Sequence, residues 1–287
     1  MISDAKEKKM FEILENFSDY IDNISGAAAN TRLSYIRDIR QMMEWMTDHG
    51  IMSLQEIGTE DLERYTKDLK DKGKSAATIS RSIASMHRFF EFAMKEGRIF
   101  HDPSESLKAP KVIKKAPEVL NETEIKKLLE VPDTDKSKGL RDKAMLEMLV
   151  CTGLRVSELI SLRLADVDLR KKTVSVTGTN GRTVPLDRRV VKTVSAYLDK
   201  SRPEMAAGEV DDTLFVSCNG EKMTRQGFWK LLRKYGREAG LSMELTPHTL
   251  RHSFAVNALR RGEDVHEVQS ILGHRDISSV NEYSSLV

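Results

Sequence analysis

The segment Thr246-Pro247-His248-Thr249-Leu250-Arg251-His252 sets an imidazole and a guanidinium three residues apart. At the start of a helix, that spacing sends both side chains out from one face. Arginine offers a planar fork for two phosphoryl oxygens, histidine gives or takes a proton near neutrality, and a helix N-terminus adds backbone N–H groups. The chemistry this suits is that of a phosphate group. His248 and His252 also stand four apart, the spacing of a zinc-protease helix. Thr249 follows the first histidine where that motif needs its glutamate base, so zinc hydrolysis has no support and His252 reads as a packed helix histidine. A second stretch, TGLRVSELI over 152–160, puts Arg155 just after a glycine turn, with Glu158 three residues on where it could brace the guanidinium. A third, Leu272-Gly273-His274, closes a helix, and Tyr283 follows nine residues later on a short amphipathic tail. Taken singly, Arg155 is explained as a surface arginine and Tyr283 as a packing residue.

The elements that must carry these residues can be read from hydrophobic periodicity. From Phe11 to about Arg98 apolar residues recur at three- and four-residue spacing, as in Tyr35, Ile36, Ile39, Met42, Met43 and Met46, which predicts an all-helical unit of about four helices. Its methionine and aromatic stripe reads as core packing. Between Pro103 and Pro117 the pattern becomes SESLKAPKVIKKAP, an extended connector that from Ser106 to Pro117 carries Lys108, Lys111, Lys114 and Lys115 and no acid. The expected domains are therefore 1–105, a basic linker 106–117, and 118–287. The second domain opens on a capping pattern, Asn121 followed by Glu124, and continues with a helix from Gly139 to Gly153. Alternation at Val174 and Val176, a turn at Asn180-Gly181 and a return strand from Arg182 to Leu186 predict a β-hairpin. Helices are expected again over 190–201, 225–239, 249–261 and 265–272. The fold class is mainly α, with a small antiparallel β-sheet in the second domain.

Composition bounds the function. The chain has 287 residues, 39% hydrophobic and 31% charged, which excludes a disordered or fibrous protein. Lys and Arg number 46 against 44 Asp and Glu, a net charge of +2, so charge has to be read locally. Cys151 and Cys218 lack partners at zinc-ligand spacing and make no disulfide framework. No apolar run approaches about 18 residues and the N-terminus lacks a signal-like core, so the expectation is a cytoplasmic protein with neither a metal site nor a membrane span.

These three stretches and Tyr283, in their order along the chain, resemble the tyrosine recombinase (phage integrase) family, in particular its Xer-like members. TGLRVSELISL looks like the family's first-arginine motif, HTLRHSFA its His-x-x-Arg motif, LGHRD its third motif, and Tyr283 its nucleophile. ANTRLSYIRDI and SAATISRSIASMHRFFEFA are similar to the family's helical core-binding domain, so the likeness covers nearly the whole chain.

The resemblance implies a site-specific recombinase that needs no cofactor. Tyr283 would attack a scissile DNA phosphate to give a 3′-phosphotyrosyl enzyme and a free 5′-hydroxyl. Arg155 and Arg251 would neutralise the non-bridging oxygens, His248 would assist deprotonation of the tyrosine, His274 would hydrogen-bond a phosphoryl oxygen, and Glu158 would orient Arg155. The implied partner is double-stranded DNA with a specific target site, bound by a monomer that assembles as a homotetramer on synapsed duplexes. The basic linker would cross the backbone, and Arg81 and Arg88, seven apart on one helix face, are candidate base readers.

Two features depart from the pattern. The family carries lysine after the hairpin glycine, whereas here Thr179 follows Gly178 and the turn is about two residues shorter. Arg182 could supply charge there but not readily a proton, and Lys171 or Lys172 would have to reach in from the strand start. Loss of an acid costs about 10²–10⁴-fold in rate, which keeps open a catalytically silenced DNA-binding relative, beside a type IB topoisomerase-like relaxer. The sequence also ends four residues after Tyr283, where the resemblance implies a terminal helix that docks on a neighbouring protomer.

Overall fold

The computed structural model describes residues 12–21, 29–112, 118–178, 181–206 and 212–273. The chain divides into two compact units, Met1–Lys115 and Ala116–Val287. Among its described residues the first unit has helices and no strand. Residues 12–21 form α1, followed by α2 (Ala29–Asp48), α3 (Thr59–Asp71) and α4 (Ala76–Lys95). Helical spacing places Ile39, Met42, Met43 and Met46 of α2 and Ile83, Met86, Phe89 and Phe90 of α4 in one fully buried core. Ser75 caps α4 by accepting from Thr78 N at 3.2 Å. The segment after α4 is tied to this unit: Leu107 joins its core, Thr59 Oγ1 donates to Pro103 O at 2.9 Å, and Ser80 Oγ donates to Pro110 O at 3.1 Å. Up to Pro110 the chain is therefore laid down on the helices, where the sequence reads as connector from residue 106 onward.

The second unit is built round α6 (Ser137–Thr152), whose residues are buried on every face, including Arg141, Asp142 and Glu147. A helix enclosed in this way must meet neighbours all round. It packs on α5 (Glu122–Glu130), α7 (Val156–Leu159), α8 (Arg188–Ala196), α9 (Arg202–Met205) and α11 (Pro247–Arg260). The remaining helices are α10 (Arg225–Glu238) and α12 (Val265–Leu272). Asn121 and Glu124 cap α5 reciprocally, each side chain accepting from the other's backbone N–H at 2.9 Å. The helix expected over 190–201 is α8 extended by a π turn, Tyr197–Ser201.

The sheet has three antiparallel strands in the order β1-β2-β3: Val167–Asp168, Thr173–Val176 and Arg182–Pro185. β1 has two residues, too short for alternation to announce it. The register pairs Val174 with Val184 and Val176 with Arg182. Facing residues share a side of the sheet, so Arg182 lies on the face that buries the three valines. Among the described residues no helix is long and apolar enough to cross a membrane.

Candidate active site

α6 ends at Gly153, which is in the left-handed conformation (φ 61°) and donates its N–H to Leu149 O at 2.9 Å. Two constraints demand glycine here. A Cβ would lie 2.5 Å from Phe254 Cδ1 and 2.8 Å from Leu272 Cδ2, and the backbone itself disfavours an L side chain. The tight turn brings α11 and the end of α12 against the start of the next segment. Buried Leu154 and Leu159 anchor that segment, and Arg155 stands between them at the head of α7.

Glu158 is the hub. Its carboxylate accepts from Arg155 N at 2.8 Å and Arg155 Nη1 at 3.0 Å, and from Arg182 Nη1 and Nη2, both at 2.9 Å. Burial pushes the Glu158 carboxyl up, but the hydrogen bonds from Arg182 and from the Arg155 backbone outweigh it and hold the group below the usual glutamate range. Arg182 also donates through Nε to Ile271 O. Arg251, one turn into α11 and buried, donates through Nη1 to Gly153 O and through Nη2 to Leu272 O, both at 2.6 Å. Among the described residues the cluster holds three guanidinium groups and one carboxylate, and it is not fully enclosed: the Arg155 side chain remains 30% exposed. An excess of positive charge, pinned from behind and open in front, suits an anion with several oxygens.

His248 lies in the first turn of α11, exposed, with its ring centroid 6.2 Å from that of half-buried His252. Thr246 caps this helix, accepting from Thr249 N at 3.1 Å, and Pro247 follows at its first position. The other sequence candidates fall elsewhere. His274, Tyr283, Thr179, Lys114 and Lys115 lie outside the described residues. Lys108 and Lys111 are exposed in the first unit. Arg81 is 44% exposed and also ion-paired within the unit. Its fork is closed on buried Asp38 (Nε–Oδ2 2.8 Å, Nη2–Oδ1 2.9 Å), which also accepts from Ser85 Oγ, making a strut between α2 and α4. Arg88 pairs with Glu91 at 3.1 Å on an exposed face. Lys171 pairs with Asp168 at 3.5 Å across the β1–β2 turn. Cys151 is no rival nucleophile, because burial and the neighbouring Asp187 push its thiol up to about 12.

What the sequence did not announce is that Arg182 shares Glu158 with Arg155. The signal was present in the strand period, which puts Arg182 on the inner face two residues before Val184. An arginine on a core-facing position needs a carboxylate partner.

Two family descriptions match the chain: "Phage integrase family" over residues 118–286 and "Phage integrase, N-terminal SAM-like domain" over residues 14–97. The chain belongs to the phage integrase family. Among relatives in this family, a tyrosine recombinase XerD of Staphylococcus aureus is 39% identical over 277 residues, 96% of this chain and 94% of that protein. The XerA recombinase structure is 29% identical with a TM-score of 0.54, covering 95% of this chain and 92% of that one. The fold is also that of the XerH site-specific recombinase bound to palindromic difH substrate, with a TM-score of 0.74 at 23% identity over 91% and 78% of the two chains. As a phage integrase family member the chain carries an Arg155–Glu158 turn and an Arg251 helix whose contacts converge on Gly153 and on the end of α12.

Proposed function

We propose that the chain is a site-specific DNA recombinase that cuts and rejoins strands of a double-stranded target through a 3′-phosphotyrosyl intermediate. The observation that carries this reading is the partly exposed cluster of Arg155, Arg182 and Arg251 around Glu158, among the described residues three cations and one anion. A phosphodiester gains negative charge on its non-bridging oxygens as it becomes pentacoordinate, and fixed guanidinium groups stabilise that charge without reorganising. Arg155 and Arg251 serve there, with Glu158 setting the Arg155 plane.

Tyr283 is the nucleophile. Its oxygen forms a bond to phosphorus while the bond to the 5′-oxygen breaks, so the phosphodiester energy is kept for rejoining and no nucleotide is consumed. A free tyrosine has a pKa near about 10, so His248 assists removal of its proton and His274 hydrogen-bonds a phosphoryl oxygen. Lys108, Lys111, Lys114 and Lys115 contact the DNA backbone, a contribution that falls steeply with salt. The protein is a monomer when free and a tetramer on two synapsed duplexes.

The test uses a duplex recovered by binding from a randomised pool, with single nicks tiled across it so that a cleaved fragment diffuses away. The reading predicts a denaturant-stable protein–DNA adduct at one nick position, lost in Tyr283→Phe with binding retained. Binding without adduct at any nick would mean a DNA-binding relative without catalysis, the reading that Thr179 favours. Relaxation of a supercoiled plasmid lacking the target would mean a topoisomerase-like enzyme.

A further inference from the structure

The last carbonyls of a helix have no partners within it and must find them elsewhere. At the end of α12 two arginines supply them: Arg182 Nε donates to Ile271 O and Arg251 Nη2 to Leu272 O. Both arginines reach the Arg155 turn with their remaining nitrogens, Arg182 on both oxygens of Glu158 and Arg251 on Gly153 O. The three hydrogen bonds from Arg182 therefore join three elements: β3, the α7 turn that carries Arg155, and the end of α12, from which the chain runs on to His274 and Tyr283. With a side chain only 9% exposed and Nε, Nη1 and Nη2 each donating to protein, this guanidinium is built in as a strut.

We propose that Arg182 is a positioning residue for strand cleavage, which fixes the end of α12 to the carboxylate that orients Arg155 and does not protonate the leaving 5′-oxygen. This rests on the recombinase reading above. Lysine at 182 would keep the charge but could not span three acceptors.

The experiment compares the full-length chain with Arg182→Lys and Arg182→Gln in single-turnover cleavage of the recovered target, made once with oxygen and once with sulfur as the 5′-bridging atom. Sulfur departs as a thiolate and needs no proton, so it bypasses any general acid. The expected result is a rate constant at least tenfold lower in both variants, with target affinity within twofold of the parent and the same fold-loss on the sulfur duplex. An unchanged rate constant would overturn the proposal, and so would a fall in cleavage amplitude alone, which marks a purely structural role. Recovery on the sulfur duplex would overturn it in favour of an acid. A parent chain that cleaves neither duplex overturns the recombinase reading and the proposal with it. Cleavage by the parent with an unimpaired Arg182→Lys overturns the proposal alone.

Discussion

At the N-terminal end of α6, Arg141 and Asp142 are enclosed, their side chains 2% and 0% exposed. Arg141 gives Nε and Nη2 to Asp142 Oδ1 and Nη1 to Val216 O, and Asp142 Oδ2 accepts from the Tyr235 hydroxyl at 2.8 Å. At the other end of the same helix, about 16 Å further along by helical rise, Glu158 is shared by Arg155 and Arg182, with Arg251 beside them on Gly153. Among the described residues one cation meets one anion at the first end, whereas three cations meet one anion at the second. The carboxyl groups respond in opposite directions. Burial pushes Asp142 up despite Arg141, while at Glu158 the hydrogen bonds from the arginines overcome burial and hold it low. A balanced, sealed pair makes architecture, and an unbalanced, open one makes a place for an anion.

The largest expected effect separates the two ends by function. Arg251→Lys keeps a charge but loses the fork that joins Gly153 O to Leu272 O. Single-turnover cleavage should fall by about 10³-fold, or ~4 kcal/mol of transition-state stabilisation. Asp142→Ala should do the reverse. It strands a buried guanidinium and should lower unfolding free energy by about 3–5 kcal/mol in denaturant titrations, with the rate constant of the folded fraction unchanged. Loss of catalysis on sealing or opening the Arg141 end would erase the distinction.

Gly153→Ala tests where the two ends are joined, since the new methyl meets Phe254 and Leu272 and the residue must keep a positive φ. About 2 kcal/mol of stability should be lost, and cleavage should slow because Arg155 follows two residues later.

These features were unequally legible in the sequence. Arg155, Glu158, His248 and Arg251 were visible because helical spacing of three sets chemistry on one face. The Asn121–Glu124 cap and the β2–β3 hairpin carried local signatures of their own. The two-residue β1 and the four-residue α7 are too short to have a period, and the π turn at Tyr197–Ser201 leaves the helical spacing of its neighbours intact. Partners far apart in the chain were invisible for a different reason. Arg251 finds Gly153 across 98 residues and Arg182 finds Glu158 across 24, so neither pairing has a spacing to read. Arg81 shows the same limit: its helix face was legible, but its partner Asp38 stands 43 residues back on another helix.

Acid titration should separate the two ends again. Glu158 has a folded value below its ordinary one, so its contribution to stability is present above about pH 4.3 and is lost as the pH falls through the folded value. The stability difference between the parent and Glu158→Gln should therefore shrink on acidification. Asp142, held above its ordinary value, contributes with the opposite sign, most in acid and less as the pH rises. The smallest effect is at the α11 cap, where Thr246→Ala should cost about 1 kcal/mol by removing the acceptor for Thr249 N.

The central claim is that Arg155 and Arg251 neutralise charge on a scissile phosphate. It is tested most directly by placing a methylphosphonate at the cleavage position, which removes one non-bridging negative charge from the DNA. On that neutral linkage Arg251→Ala and Arg155→Ala should cleave at rates close to the parent's, their loss of positive charge having been bypassed. An undiminished loss on the neutral linkage would show that the arginines do not act on that charge, and the account of the site would fail.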